Sequence, residues 1–232
     1  MKEYLSEQDA RMAIIDVGKR IYNRNYVAAN DGNISCRISE NTILVTPTGV
    51  SKGYMEPDML VKMTLDGTVL EGGKPSSETK MHLRAYRENP CIAGVVHAHP
   101  AVVTSFAVMG LEMKKPVVAE AVLVTGNILI APYAEPGTYD VPDSIAPYVN
   151  KYNGVLLANH GALSWGEDLY QALYRMEAME HQAKILLYSM ALSHITGKEI
   201  PGLSPEALKG LVDIREGMGI HTGGMPESGR VL

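Results

Sequence analysis

Three of the seven histidines sit at or just past the ends of apolar strands: His97, His99 and His160. Side chains alternate faces along a strand, so residues two apart point the same way, and His97 and His99 can aim both imidazoles at one point. Neutral imidazole is the commonest metal ligand, and three protein nitrogens plus one exchangeable position form a catalytic zinc pattern. The other reading of a His-x-His pair is hydrogen bonding at a strand end. A third histidine, in Asn159-His160-Gly161 after a second strand, adds weight to the metal reading. His82 lies four residues after Glu78 and shares its helix face. It reads as a hydrogen-bonded packing residue, and His181, His194 and His221 read as structural.

A second group of residues suits an anion. Ser76, Ser77 and Glu78 follow Pro75 at the start of a helix, where hydroxyls, free backbone N–H groups and the helix dipole favour a phosphate. The same residues also read as an ordinary Ser77 cap with a first-turn carboxylate. Asn30-Asp31-Gly32-Asn33 and Thr46-Pro47-Thr48-Gly49 are donor-rich loops of similar character, and such loops also occur as plain turns.

The elements that must position these groups are legible in outline. Ser6 and Asp9 open a first helix, about residues 7–25, carrying Met12, Ala13, Ile15, Ile21 and Tyr22. A β-branched strand covers 42–46 and stops at Pro47. Segments 60–65 and 68–70 flank Asp66-Gly67, a strong hairpin signal. A helix from Ser76 carries Met81, Leu83, Ala85 and Tyr86. A buried strand over 92–96 runs into His97, and a short helix, 101–109, follows. Strands at 127–130 and 154–158 precede a long helix from Gly166 to about Ser193. Ser204-Pro205-Glu206 caps a final helix. Interleaved strands and helices with an antiparallel hairpin predict a mixed sheet covered by helices. The Gly-rich tail from about 217 to 232 is expected to be flexible or ordered by a partner subunit.

A chain of 232 residues with no internal linker predicts one α/β domain, 1–232. A net charge of −5 argues against nucleic acid, whose backbone needs a basic patch. Two cysteines exclude a disulfide framework. With neither a signal-like start nor a membrane-length apolar run, the expected setting is the cytoplasm, with no membrane partner.

The order Gly32-Asn33-x-Ser35, Thr46-Pro47-Thr48-Gly49, Ser76-Ser77-Glu78, His97-x-His99, Ala131-Pro132-Tyr133 and Asn159-His160-Gly161 resembles the class II aldolase/adducin family, in particular its fuculose-phosphate aldolase branch, from about residue 7 to 215. The resemblance implies a three-layer α/β/α domain with a mixed, largely antiparallel sheet. It also implies a homotetramer with active sites at subunit interfaces. His97, His99 and His160 would bind one Zn2+ per subunit, with Glu78 as a fourth ligand that substrate displaces and that then serves as the base. Gly32, Asn33, Thr48, Gly49, Ser76 and Ser77 would hold the substrate phosphate. The implied reaction is reversible cleavage of a ketose 1-phosphate, such as L-fuculose 1-phosphate, to dihydroxyacetone phosphate and an aldehyde such as lactaldehyde. No Schiff-base lysine is then needed, and Lys52, Lys62 and Lys80 read as surface residues.

Two departures fall where the aldehyde would bind. Glu120 stands where that branch has a tyrosine, and no tyrosine follows Tyr188. Set among Val117–Ala119 and Ala121–Val124, Glu120 reads either as a helix-surface or interface carboxylate or as a buried group; the functional expectation is burial, which would raise its pKa and make it a proton donor near neutrality. Other branches fit less well. Sugar-phosphate epimerases have Asp at the place of Glu78 and His-Ala-Asp at 118–120. Methylthioribulose-1-phosphate dehydratases use a Glu near 120 but lack Ser-Ser-Glu. Adducin-like modules have lost the metal ligands.

Overall fold

The computed structural model describes residues 3–231. Ser6 opens helix α1 (Glu7–Asn23) as its spacing predicts, accepting from the Asp9 N–H at 3.1 Å. The chain then forms β1 (Asn33–Arg37), β2 (Thr42–Val45), β3 (Val61–Thr64) and β4 (Val69–Glu71). Helix α2 (Thr79–Glu88), β5 (Gly94–Ala98) and α3 (Ala101–Met109) follow. A π-helical turn at Ala121–Thr125 precedes β6 (Ile130–Ala131), α4 (Asp140–Val149), β7 (Gly154–Leu157) and β8 (Gly161–Gly166). Helices α5 (Leu169–Thr196) and α6 (Pro205–Gly217) complete the fold.

All eight strands join one sheet in the order β4-β3-β2-β1-β5-β8-β7-β6. Among the described residues, only the β6–β7 pairing is parallel. The mixed, largely antiparallel sheet is thus as expected, and the Asp66-Gly67 hairpin joins β3 to β4. Alternation along the strands divides the core. Leu44, Val96, Leu156 and Ala162 pack on one face with α1, α3 and α5. Ile43, Val95, Val155, Leu163 and Trp165 pack on the other with α2 and α4. Both faces of the sheet are therefore covered, giving three layers. Each buried aliphatic side chain contributes roughly 1.5–3 kcal/mol relative to exposure.

The structure differs from the sequence reading at several points. Strand β1 occupies part of what reads as a loop, and it is the central strand joining β2 to β5. Residues 161–166 form β8, so α5 begins at Leu169, capped by the Asp168 carboxylate accepting from Gln171 N–H at 2.8 Å. Helix α4 was not anticipated. The tail does not need a partner subunit to find contacts. Gly223 bonds through its carbonyl to Asn127 and through its N–H to Lys151, and Glu227 N–H donates to Lys114 O, each at 2.8 Å. Among the described residues, no helix is long and apolar enough to cross a membrane.

Strand β5 and the start of α5 meet backbone to backbone at Gly94. A Cβ there would lie 2.3 Å from Leu169 Cα and 2.6 Å from the Asp168 carbonyl oxygen. Gly94→Ala is expected to lower unfolding free energy in urea by about 1–3 kcal/mol, the range of overpacked cores. An unchanged midpoint would show that β5 and α5 can separate freely.

Candidate active site

The site is assembled from three neighbouring strands and one helix start. Asn33 on β1 lies directly opposite His97 on β5 in the sheet register. His97 shares its strand face with Val95, on the α2 side, and His99 follows just past the strand end. His160 sits in the loop of the β7–β8 hairpin, in which Asn159 adopts φ +56°. Short polar side chains such as Asn tolerate that left-handed conformation, which sharp reversals require. Glu78 stands at the N-cap position of α2.

These residues converge. One ligand nitrogen from each of His97, His99 and His160 lies within 4.8 Å of the others. His97 Nε2 is 3.0 Å from His99 Nε2 and 3.4 Å from Glu78 Oε2. His160 Nε2 is 3.2 Å from Glu78 Oε1. A tetrahedral ion with ligands at ~2.0–2.1 Å would space its donors about 3.3 Å apart, close to these separations.

The donor chemistry also fits a cation. His97 Nδ1 donates to the Ala162 carbonyl at 2.9 Å, so its Nε2 presents a lone pair to the cluster. His99 Nδ1 lies 3.6 Å from the Asp31 carboxylate, which favours the same tautomer. Two lone pairs then face one another, an arrangement that a cation between them would relieve. Glu78 Oε1 is buried without a hydrogen-bond partner, as is His160 Nδ1. Burial drives the His97 pKa down to about 3 against the pull of Glu78, so His97 is neutral at physiological pH. His99 is lowered as well, by burial and by His160. Burial opposes the charge of Glu78, but His97, His160 and the Asn33 amide outweigh it and hold the carboxyl well below the usual range.

The residues expected to hold phosphate lie on neighbouring loops. Thr48 N–H donates to Lys74 O and Ser76 N–H to Thr46 O, both at 3.1 Å, so the 46–49 and 74–77 segments run side by side. Thr48, Gly49 and Ser77 are exposed, and Ser76 is half-buried. A cleft of about 590 Å³ beside Ser76 and Ser77 carries Lys74, Lys80, Arg84 and Arg87 against Asp66 and Asp143. Gly32, at φ +74°, packs so closely that a Cβ would lie 2.9 Å from the His97 carbonyl oxygen. Asn33 has partners at both ends of its carboxamide. Its Nδ2 donates to Glu78 Oε2 at 2.8 Å and its Oδ1 lies 2.5 Å from His82 Nε2, which leaves one amide proton for an anion.

Two expectations are corrected. Lys52 is not on the surface: it is 1% exposed, and its Nζ donates to Asn30 O at 2.9 Å and Val50 O at 2.6 Å. Burial pulls its pKa down to about 8, while Asp31 and Glu78 pull it up. Lys52 therefore ties the two loops together and places a cation between them. Nothing in its sequence neighbourhood signals this, because the two carbonyls come together only in the fold. Glu120 is exposed rather than buried. The apolar run around it turns Val122 toward Leu208 and Val212 of α6 and leaves the carboxylate outside.

His160→Ala is expected to lose stoichiometric divalent metal, read by elemental analysis after dialysis against zinc, with an unchanged circular dichroism spectrum. Zinc retained in full would remove His160 from the ligand set.

Residues 12–187 match the Class II Aldolase and Adducin N-terminal domain. The chain is 33% identical over 205 residues to the 3-oxo-tetronate 4-phosphate decarboxylase of Pectobacterium atrosepticum, spanning 86% of this chain and 94% of that protein. It is 31% identical over 171 residues to the L-fuculose phosphate aldolase of Methanococcus maripaludis, spanning 74% and 92%. The crystal structure of YgbL from Escherichia coli superimposes with a TM-score of 0.81 at 30% identity, over 89% of this chain and 99% of that one. An L-fuculose 1-phosphate aldolase structure gives 0.82 at 27% identity, over 92% and 98%. With a domain match of that extent and relatives above 30% identity along most of both chains, the chain belongs to the class II aldolase and adducin family.

Proposed function

We propose that the chain is a metal-dependent lyase that breaks the bond between the α- and β-carbons of the ketone in a small phosphorylated substrate and releases dihydroxyacetone phosphate. The observation that supports this most is the convergence of three imidazoles on a carboxylate that is largely enclosed and ionised. A divalent cation, zinc by its match to nitrogen and carboxylate donors, would be held by His97, His99, His160 and Glu78 and would supply Lewis-acid stabilisation of the charge left on the substrate oxygens.

The reactions named for the two groups of relatives share an intermediate. In 3-oxo-tetronate 4-phosphate the carboxylate sits on the carbon next to the ketone. Its loss as carbon dioxide leaves an enediolate, and one proton added to that carbon gives dihydroxyacetone phosphate. Retro-aldol cleavage of a ketose 1-phosphate leaves the same enediolate and releases an aldehyde. In either case Ser76, Ser77, Thr48 and the backbone at Gly32 and Gly49 would hold the phosphate, with Lys52 supplying charge. Glu78 would take a proton from solvent and deliver it to the carbanion, and in reverse would remove it from the hydroxymethyl carbon.

The leaving half separates the readings. An aldehyde needs a group to take the proton from its parent hydroxyl, whereas carbon dioxide does not. Glu120 is exposed on the protomer, and the tail lacks a tyrosine after Tyr188. These features favour decarboxylation of a 3-oxo sugar-acid phosphate as the first reading. Retro-aldol cleavage of a deoxy-ketose 1-phosphate such as L-fuculose 1-phosphate is the second, with Glu120 covered by a neighbouring subunit. Exposed Leu187, Tyr188, Leu192 and Ile195 on the last turns of α5 support the expectation of a homo-oligomer, with the tetramer as the form proposed.

Zinc-loaded protein is expected to release carbon dioxide and dihydroxyacetone phosphate in equal amounts from 3-oxo-tetronate 4-phosphate. Its kcat/KM there should exceed that for any ketose 1-phosphate by at least about tenfold, the size of a single favourable contact at the leaving group. The opposite ranking would establish the aldolase reading, and no dihydroxyacetone phosphate from either class would sink both. Chelation should abolish turnover and zinc should restore it. Glu78→Gln should slow hydrogen exchange at dihydroxyacetone phosphate by ~10²–10⁴-fold, the usual contribution of a general base. A loss under roughly tenfold would assign the proton to another group.

A further inference from the structure

Glu78 is held by Asn33, and Asn33 is held in turn by residues that the chemistry above does not use. Tyr86 Oη lies 2.8 Å from Ser35 Oγ, and Ser35 Oγ lies 2.7 Å from His82 Nδ1. His82 Nε2 is 2.5 Å from Asn33 Oδ1, and Asn33 Nδ2 is 2.8 Å from Glu78 Oε2. Tyr86, Ser35, His82 and Asn33 are each no more than 1% exposed, so none can trade its partner for bulk water. Two regular elements supply the chain. Asn33 and Ser35 share one face of β1, while Glu78, His82 and Tyr86 follow at successive intervals of four along α2.

The direction of every bond can be assigned. An ionised carboxylate only accepts, so Asn33 must turn its NH₂ end to Glu78. Its carbonyl end then faces His82, which must donate from Nε2. Burial lowers the His82 pKa to about 4, so the ring is neutral and Nδ1 carries a lone pair. Ser35 must donate to that lone pair and is left to accept from Tyr86. Four donors therefore point one way and end at the carboxylate, an arrangement in which each bond polarises the next.

We propose that His82 is a positioning residue: its Nε2–H tautomer, fixed by Ser35 and Tyr86, sets the orientation of the Asn33 carboxamide and through it that of Glu78. This rests on the reading of Glu78 as the group that moves the proton. Without the His82 donor, the buried Asn33 carbonyl loses its partner, and the attraction of Glu78 for the NH₂ end alone fixes the carboxamide. The amide can then tilt and shift, carrying Glu78 out of line with the substrate carbon.

Two measurements test this. Nitrogen-15 NMR of the histidine-labelled protein, with the His82 signal assigned by its loss in His82→Gln, should show a protonated Nε2 and an unprotonated Nδ1 at neutral pH. The opposite tautomer, or a doubly protonated ring, overturns the proposal whatever the substrate proves to be. The second is deuterium exchange at dihydroxyacetone phosphate. His82→Leu should lower kcat by about 10–100-fold, as loss of a residue supporting a metal-site ligand typically does. KM should change less than about twofold, since the phosphate loops are untouched, whereas a general loss of structure would move both. His82→Gln, which keeps a donor toward Asn33, should recover most of kcat. In a Glu78→Gln background the His82 substitutions should cost nothing further. Independent, multiplying losses, or full kcat in His82→Leu, would overturn the proposal. Should Glu78→Gln alone exchange at the wild-type rate, the functional reading of Glu78 fails instead, and the tautomer measurement still decides the role of His82.

Discussion

The constraint on which this molecule turns is the presence of a negative carboxylate largely enclosed by protein with three imidazoles around it. An ionised carboxyl group is costly to bury unless its oxygens are satisfied. Here one Glu78 oxygen takes the Asn33 amide and lies near His97, while the other lies near His160 with no hydrogen-bond partner. The protein alone leaves that second oxygen unsatisfied. A cation at the focus of the cluster would complete it, and a substrate oxygen competing for that cation would release it. On the proposed reading, the carboxylate would alternate between holding a ligand position and moving a proton.

Meeting that constraint dictates much of the fold. The three histidines and Asn33 come from β1, the end of β5 and the β7–β8 loop, so β1, β5 and β8 must be neighbours in the sheet. Gly94 brings α5 against β5, and Gly32 lets the incoming chain pass over the His97 carbonyl. Helix α2 must start beside β1 for Glu78 to reach Asn33. Its amphipathic face then serves two purposes: Met81, Leu83 and Ala85 fill the core, while His82 and Tyr86 meet the polar row of β1.

The histidines were legible because alternation and strand-end position are local properties of sequence. The hairpin at Asp66-Gly67 and the caps at Ser6 and Ser204 were legible for the same reason. Strand β1 was not, because half of its side chains are polar and a short polar stretch reads as solvent-facing. Its polar row faces another helix instead. The pattern Asn-Ile-Ser-Cys-Arg does have a period of two, which is the signal that could have found it. Lys52 reads as a surface residue because lysine nearly always is one. Only the meeting of two loops distant in sequence satisfies it in the interior. Glu120 misled in the opposite sense. Its apolar neighbours pack toward α6, and the backbone turn puts the carboxylate on the other side.

The sheet order also bears on how the chain reaches its final form. Strand β1 pairs with β5 across some sixty residues, and β5 pairs with β8 across some seventy. Contacts of such long range form slowly, because a large loop must close before they repay its entropy. His97, His99, His160 and Glu78 are brought together by those closures, so capture of a cation held there as proposed would be coupled to global rather than local ordering. Such a cation would act as a thermodynamic reporter of the completed sheet, shifting the equilibrium toward it by mass action.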